Sequence, residues 1–141
     1  MPDEATTRAT PSSQRILVID DEPVVCHSAR RALGSEGHQV TTTVDSAGGL
    51  TSALTGAFDI ILLDLMMPSP DGLEIFRALR DAGVSSEVVV ITGYADVATA
   101  VEVMKLGAAD YLCKPFTPEE LRVVVRKVAE RSALLRENAE L

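Results

Sequence analysis

Five short apolar runs, separated by stretches of helical periodicity, leave this chain few ways to fold. The first run, Ile16–Ile19, reads ILVI without a polar interruption, as a strand buried on both faces must. Pro23 opens a helix with Val24, Val25, Ala29, Ala32 and Leu33 on one side, and Gly34 and Gly37 stop it. Gln39–Val44 is a Thr/Val-rich strand. Ser46 is the expected cap of a loose helix, Ala47–Leu54, which carries a Gly-Gly pair. Ile60–Leu63 (IILL) is the third strand, with Asp64 at its end. Leu73–Ala82 is the next helix, closed by Gly83, and Val88–Ile91 the fourth strand. A helix over 96–106 follows, with Val97, Val101 and Met104 on one face and Gly107 closing it. Asp110–Cys113 is a short fifth strand. Thr117-Pro118-Glu119-Glu120 is a capping box with Pro at the first helical position, and no breaker follows before Leu141.

Strands alternating with helices predict an α/β fold, a doubly wound parallel sheet with helices on both faces. One domain accounts for residues 15–131. Residues 1–14, rich in Thr, Ser, Pro and Ala without periodicity, read as a disordered lead-in. Residues 132–141 read as an extension of the last helix, a possible linker to an output domain. No apolar run reaches the ~18 residues of a membrane span, and the N-terminal stretch carries two acids and no apolar core of a signal peptide. The expected compartment is therefore the cytoplasm. The net charge of −8, from 13 basic and 21 acidic residues, lies wholly before residue 117 and makes direct nucleic-acid binding by this domain unexpected. Cys26 and Cys113 sit in apolar contexts and read as buried small hydrophobes rather than a zinc pair or a disulfide.

In sheets of this kind ligands sit beyond the carboxyl ends of the strands. Asp20, Asp21 and Glu22 follow the first strand, Asp64 the third, Thr92 and Gly93 the fourth, Lys114 and Pro115 the fifth. Each feature alone is ordinary: acids in loops are mostly solvated turns, and a Thr after a strand is mostly a local cap. On one rim of one sheet they share a chemistry. Asp20, Asp21 and Asp64 are all-oxygen donors that repel each other, a repulsion that a hard cation such as Mg²⁺ relieves. The lack of His and Cys among them argues against zinc. An ammonium from Lys114 and a hydroxyl from Thr92 complete what a transferring phosphoryl group needs around its oxygens, and a carboxylate there can form an acyl phosphate.

Four segments carry a resemblance: ILVIDDEP (16–23), IILLDLMMPSPDG (60–72), VVVITGYAD (88–96) and DYLCKPF (110–116). In this order and at these spacings they resemble the receiver domains of two-component response regulators. The resemblance implies a flavodoxin-like (βα)5 sandwich with strand order 2-1-3-4-5. It implies Asp64 as phospho-acceptor, and Asp20, Asp21, Asp64 and the main-chain carbonyl of Met66 around Mg²⁺. It implies Thr92 and Tyr111 as the switch pair, Lys114 as the phosphoryl-binding lysine, and a cis bond before Pro115 that aims the lysine inward. The implied function is to take a phosphoryl group from a sensor histidine kinase or phosphotransfer protein, and by a change of conformation to control an output, transcription above all. Such a chain is no enzyme beyond its own phosphorylation and slow dephosphorylation, the latter slowed by Met66 and Tyr94 flanking the path of water. A homodimer through the fourth helix, fifth strand and last helix is a further expectation. Pro70 departs from the family pattern, standing where an apolar residue is common.

Other readings fit less well. A free-standing phosphorelay receiver differs only in its output. A phosphatase of the haloacid-dehalogenase type wants an Asp two residues after its nucleophile, where this chain has Met66. An FMN-binding flavodoxin wants a Ser/Thr/Gly loop after the first strand, where this chain has three acids. A receiver working without phosphate would not need the full acidic set.

Overall fold

A computed structural model describes residues 13–93 and 97–140, with side chains described through 135. Ten elements alternate: β1 (Arg15–Ile19), α1 (Pro23–Gly34), β2 (Gln39–Thr43), α2 (Ser46–Leu54), β3 (Ile60–Asp64), α3 (Gly72–Asp81), β4 (Glu87–Thr92), α4 (Val97–Lys105), β5 (Asp110–Cys113) and α5 (Pro118–Glu140). The five strands are all parallel and run in the order β2-β1-β3-β4-β5, as the resemblance implied. After β1 the chain first adds a strand on one side and then returns to the other. The direction of strand addition therefore reverses between β1 and β3, and their carboxyl ends open a crevice.

Strand side chains alternate between two apolar layers. Ile16, Val18, Ile60, Leu62, Val89 and Ile91 face α1 and α5, which contribute Cys26, Ala29, Ala32, Leu33, Leu121, Val125, Val128 and Ala129. Leu17, Ile19, Ile61, Leu63, Val88 and Val90 face α2, α3 and α4, which contribute Ala53, Ile75, Phe76, Leu79, Ala100 and Val103. Residues Ile16–Ile19 of β1 and all of β3 are buried, which accounts for the unbroken apolar runs; the edge strand β2 is half exposed and accordingly Thr-rich.

Several local expectations are corrected. Asp45, not Ser46, caps α2: its backbone is extended and its carboxylate accepts the Gly48 N–H at 3.0 Å. Ser46 instead donates to the carbonyl of Pro68 at 3.2 Å and ties α2 to the loop after Asp64. Val24, Val97 and Val101 were expected inside but are 67%, 54% and 48% exposed, because the smaller Cys26 and Ala100 take the inward positions. Cys113 is only half-buried. Ser13 and Gln14 belong with the domain rather than with the lead-in: Ser13 Oγ donates to Gly37 O at 2.6 Å, and Gln14 is buried with its N–H donating to His38 Nδ1 at 3.0 Å. Residues 1–12 of the expected lead-in, Tyr94 and Leu141 lie outside the described residues.

The capping box at the start of α5 forms as expected: Glu120 N–H donates to Thr117 Oγ1 at 3.1 Å, and Thr117 N–H to Glu120 Oε1 at 2.9 Å. A second box, Asp71 with Glu74, starts α3. Gly83 and Gly107 close α3 and α4 with φ of 75° and 110°, a region open to Gly at no steric cost. Among the described residues no helix is long and apolar enough to cross a membrane.

Candidate functional site

The rim of the crevice is built from four strand ends. Asp20 follows β1 and is fully buried, because its N–H continues the β1–β2 ladder to Thr43 O at 3.1 Å. Its Oδ1 accepts the Glu22 N–H at 2.9 Å, whereas its Oδ2 is buried with no hydrogen-bond donor in line. Asp21 turns outward and is exposed. Asp64 closes β3 at 3% exposure, and its Oδ1 accepts the Met66 N–H at 3.0 Å. One oxygen from each of Asp20, Asp21 and Asp64 lies within 4.8 Å of the others. Three carboxylates this close, one with an orphaned buried oxygen, form a donor set suited to a hard cation.

Lys114 faces this cluster from the end of β5. Its N–H donates to Thr92 O at 2.7 Å, so the β4–β5 ladder runs on one residue past the strand and fixes the lysine backbone. The peptide bond to Pro115 is cis, as expected. Its Nζ stands 3.1 Å from Asp20 Oδ2 and 3.3 Å from Asp64 Oδ2, and also pairs with Glu22 Oε1. The contact with Asp20 Oδ2 is an ion pair without hydrogen-bond alignment, consistent with that oxygen having no donor. Thr92, at the end of β4, is buried, and its hydroxyl donates to the neighbouring Gly93 O at 3.1 Å. Tyr111 is half-exposed on β5. Between Thr92 and Tyr111 opens an apolar pocket of about 380 Å³ walled by Val97, Ala100, Val101 and Cys113.

The electrostatics follow from this packing. Burial raises the Asp20 carboxyl to about 6; the Glu22 N–H works against that shift and the nearby Asp64 charge adds to it. Burial alone would lower Lys114, but its hydrogen bond to Glu22 and the nearby charges of Asp20 and Asp64 outweigh burial and hold the ammonium above its ordinary range. Cys26, beneath the site, is pushed up by burial first and by Asp20 second; its thiol donates to Asp20 O at 3.3 Å.

Metal-free protein should therefore have an acid-stabilised site. Asp20 binds its proton more tightly folded than unfolded, so this contribution is complete below the unfolded value near 3.8 and is lost as pH rises through about 6. A cation bound there would take over the role of the proton. The rise in Tm on adding excess Mg²⁺ should be larger near neutral pH than near pH 5, measured against an EDTA control. An equal rise at both pH values would refute the assignment of Asp20.

Asp20, Asp21, Asp64 and Lys114 thus gather at one rim, while Thr92 and Tyr111 line a separate apolar pocket. The sequence profile of the response regulator receiver domain matches residues 16–126. The chain belongs to this family. Transcriptional regulatory protein DltR of Streptococcus agalactiae is 34% identical over 124 residues, 88% of this chain and 55% of that protein. A receiver domain protein from Clostridium thermocellum superimposes with a TM-score of 0.79 at 32% identity, covering 86% of this chain and 98% of the other. NtrX from Brucella abortus gives 0.85 at 30% identity, covering 92% and 29%. This receiver spans about half the length of DltR and less than a third of NtrX.

Glu22 was missed as a participant. It stands in the N-cap position of α1 yet makes no side-chain cap, and its carboxylate reaches Lys114 across 92 residues of sequence. The only signal in the sequence was a third acid in the run after β1, which read as a solvated turn.

Proposed function

We propose that Asp64 accepts a phosphoryl group from the phosphohistidine of a sensor histidine kinase or phosphotransfer protein, and that the acyl phosphate shifts the domain to a second conformation. The observation that carries this is the convergence of Asp20, Asp21 and Asp64 within 4.8 Å, faced by the Lys114 ammonium. Asp20, Asp21, Asp64 and the Met66 main-chain carbonyl would hold Mg²⁺, which neutralises the negative charge of the phosphoryl oxygens. An Asp64 carboxylate oxygen attacks phosphorus, the phosphorus–nitrogen bond breaks, and the departing imidazole takes a proton. Lys114 donates to a phosphoryl oxygen. Thr92 turns its hydroxyl from Gly93 O toward another, and Tyr111 moves into the pocket beside it, which has room for a ring. The new contacts exist only in the second state, which is what lets phosphorylation shift the population.

The face made by α4, β5 and α5 would then meet a second copy, helped by the exposed Leu134 and Leu135 on the extended α5. The output would be transcription, as the name of DltR states for that relative. The reading places the chain in the cytoplasm, with no direct contact to nucleic acid and no substrate turned over beyond its own phosphate.

Acetyl phosphate should label the protein with excess Mg²⁺ and leave it unlabelled with EDTA. Hydrogen exchange with beryllofluoride should change most in β4, α4 and β5. Labelling that is indifferent to divalent cations, or exchange changes confined to α2, would overturn the proposal.

A further inference from the structure

Lys114 is the sole cation among the described residues that pairs with the acidic rim; it donates hydrogen bonds to Glu22 and Asp64 and forms an ion pair with Asp20. An ammonium has three N–H donors and no acceptor. Here three carboxylates surround it: Asp20 at 3.1 Å, Asp64 at 3.3 Å, and Glu22 closest of all. A phosphoryl oxygen on Asp64 must compete with these carboxylates for the ammonium. Asp20 is fully buried and cannot follow the ammonium or turn to water. Asp64 carries the phosphoryl group itself. Glu22 is different: its side chain is 55% exposed, so its carboxylate can return to solvent at small cost.

We propose that Glu22 is a latch on Lys114, holding the ammonium at the rim while Asp64 is free and surrendering it to the phosphoryl group. Glu22 is thus a positioning residue that acts through Lys114 and sets how readily the site is switched. The proposal rests on Asp64 being the phospho-acceptor. It adds a competing internal anion whose release is part of every phosphorylation. Because Glu22 makes no side-chain cap on α1, the role is separable from the stability of that helix.

Two substitutions separate holding from mere charge. Glu22→Gln removes both the charge and the ion pair. Glu22→Asp keeps the charge but draws the carboxylate back by one carbon–carbon bond, ~1.5 Å, out of reach of Lys114 where it now stands. Wild type and both variants are titrated with beryllofluoride in excess Mg²⁺, and the ammonium NMR resonance of Lys114 is followed. The latch requires both variants to bind beryllofluoride about two- to five-fold more tightly than wild type, the scale of a half-exposed ion pair. It also requires the Lys114 resonance of both free variants to move toward its beryllofluoride-bound position. Tighter binding by Glu22→Gln alone, with Glu22→Asp matching wild type, would show general charge repulsion and overturn the latch. Unchanged affinity in both variants, with wild type binding normally, would overturn it too. Failure of the wild type to bind beryllofluoride at all would remove the phospho-acceptor reading and the latch with it.

Discussion

Asp64→Asn should lower phosphate incorporation from acetyl phosphate by at least about a hundred-fold, the scale expected when a nucleophile is lost. The substitution keeps the shape of the side chain and removes only the attacking oxygen anion. Asn still offers an oxygen to the Met66 N–H, so the loop after β3 keeps its anchor. Removing one of three mutually repelling carboxylates should leave Tm unchanged or higher in metal-free protein, since the cluster is a source of strain without a cation. Loss of labelling together with retained Tm would separate chemistry from folding. Labelling at the wild-type level would mean that the phosphoryl group goes elsewhere.

Gly72→Ala should destabilise the domain by about 1–3 kcal/mol, the usual cost of forcing extra volume into a packed site. A Cβ at Gly72 would stand 2.5 Å from the Leu65 Cα and 2.6 Å from the Asp64 carbonyl oxygen. Both are backbone atoms of the segment that positions the acceptor, and neither can rotate away. The strain would outweigh the ~1 kcal/mol that Ala otherwise gains over Gly in a helix. Gly49 offers an intermediate case, since the nearest atoms to its Cβ would be side-chain atoms of the buried Ile19, at 2.6 Å at the closest, and a side chain yields more readily than backbone. At Gly34 no atom lies within 4 Å, so Ala should be tolerated there. Urea midpoints in the order Gly34→Ala, then Gly49→Ala, then Gly72→Ala, from most to least stable, are the expected result. A neutral Gly72→Ala would show that the start of α3 can draw back from the acceptor loop.

The close approach at Gly72 explains physically a glycine that the sequence presented only as part of a resemblance. It also marks what a linear reading can reach. Unbroken runs such as IILL and VVVI were legible because both faces of a central parallel strand are buried, so no other pattern is possible there. Thr117 and Glu120 were legible because a capping box is local, with all its partners within three residues. Asp20, Asp21, Asp64, Thr92 and Lys114 were legible as a group because strand ends fall on one rim of the sheet. The inward face of α4 was not. VATAVEVM carries apolar residues on nearly every side, so periodicity could not separate the buried Ala100 and Val103 from the exposed Val97 and Val101. Asp45 and Ser46 are both good caps, and only the backbone at the end of β2 decided between them. Glu22 was invisible for a different reason: its meaning depends on a lysine brought across the sheet by the order of the strands.

The uninterrupted course of α5 has a geometric consequence for whatever lies beyond the domain. Between Pro118 and Glu140 the helix holds no further Gly or Pro, and its first part is locked by Leu121, Val125, Val128 and Ala129 against the sheet. With ~100° between successive residues, the azimuth of Leu134 and Leu135 is dictated by that seam. Leu135 is therefore clocked about 40° from Leu121 around the axis. Adding or removing a single residue after Ala129 would swing the exposed leucines by about a quarter of a turn or more. Adding three or four would nearly restore their bearing. The helix is an indexed shaft, and any downstream partner must be cut to its phase.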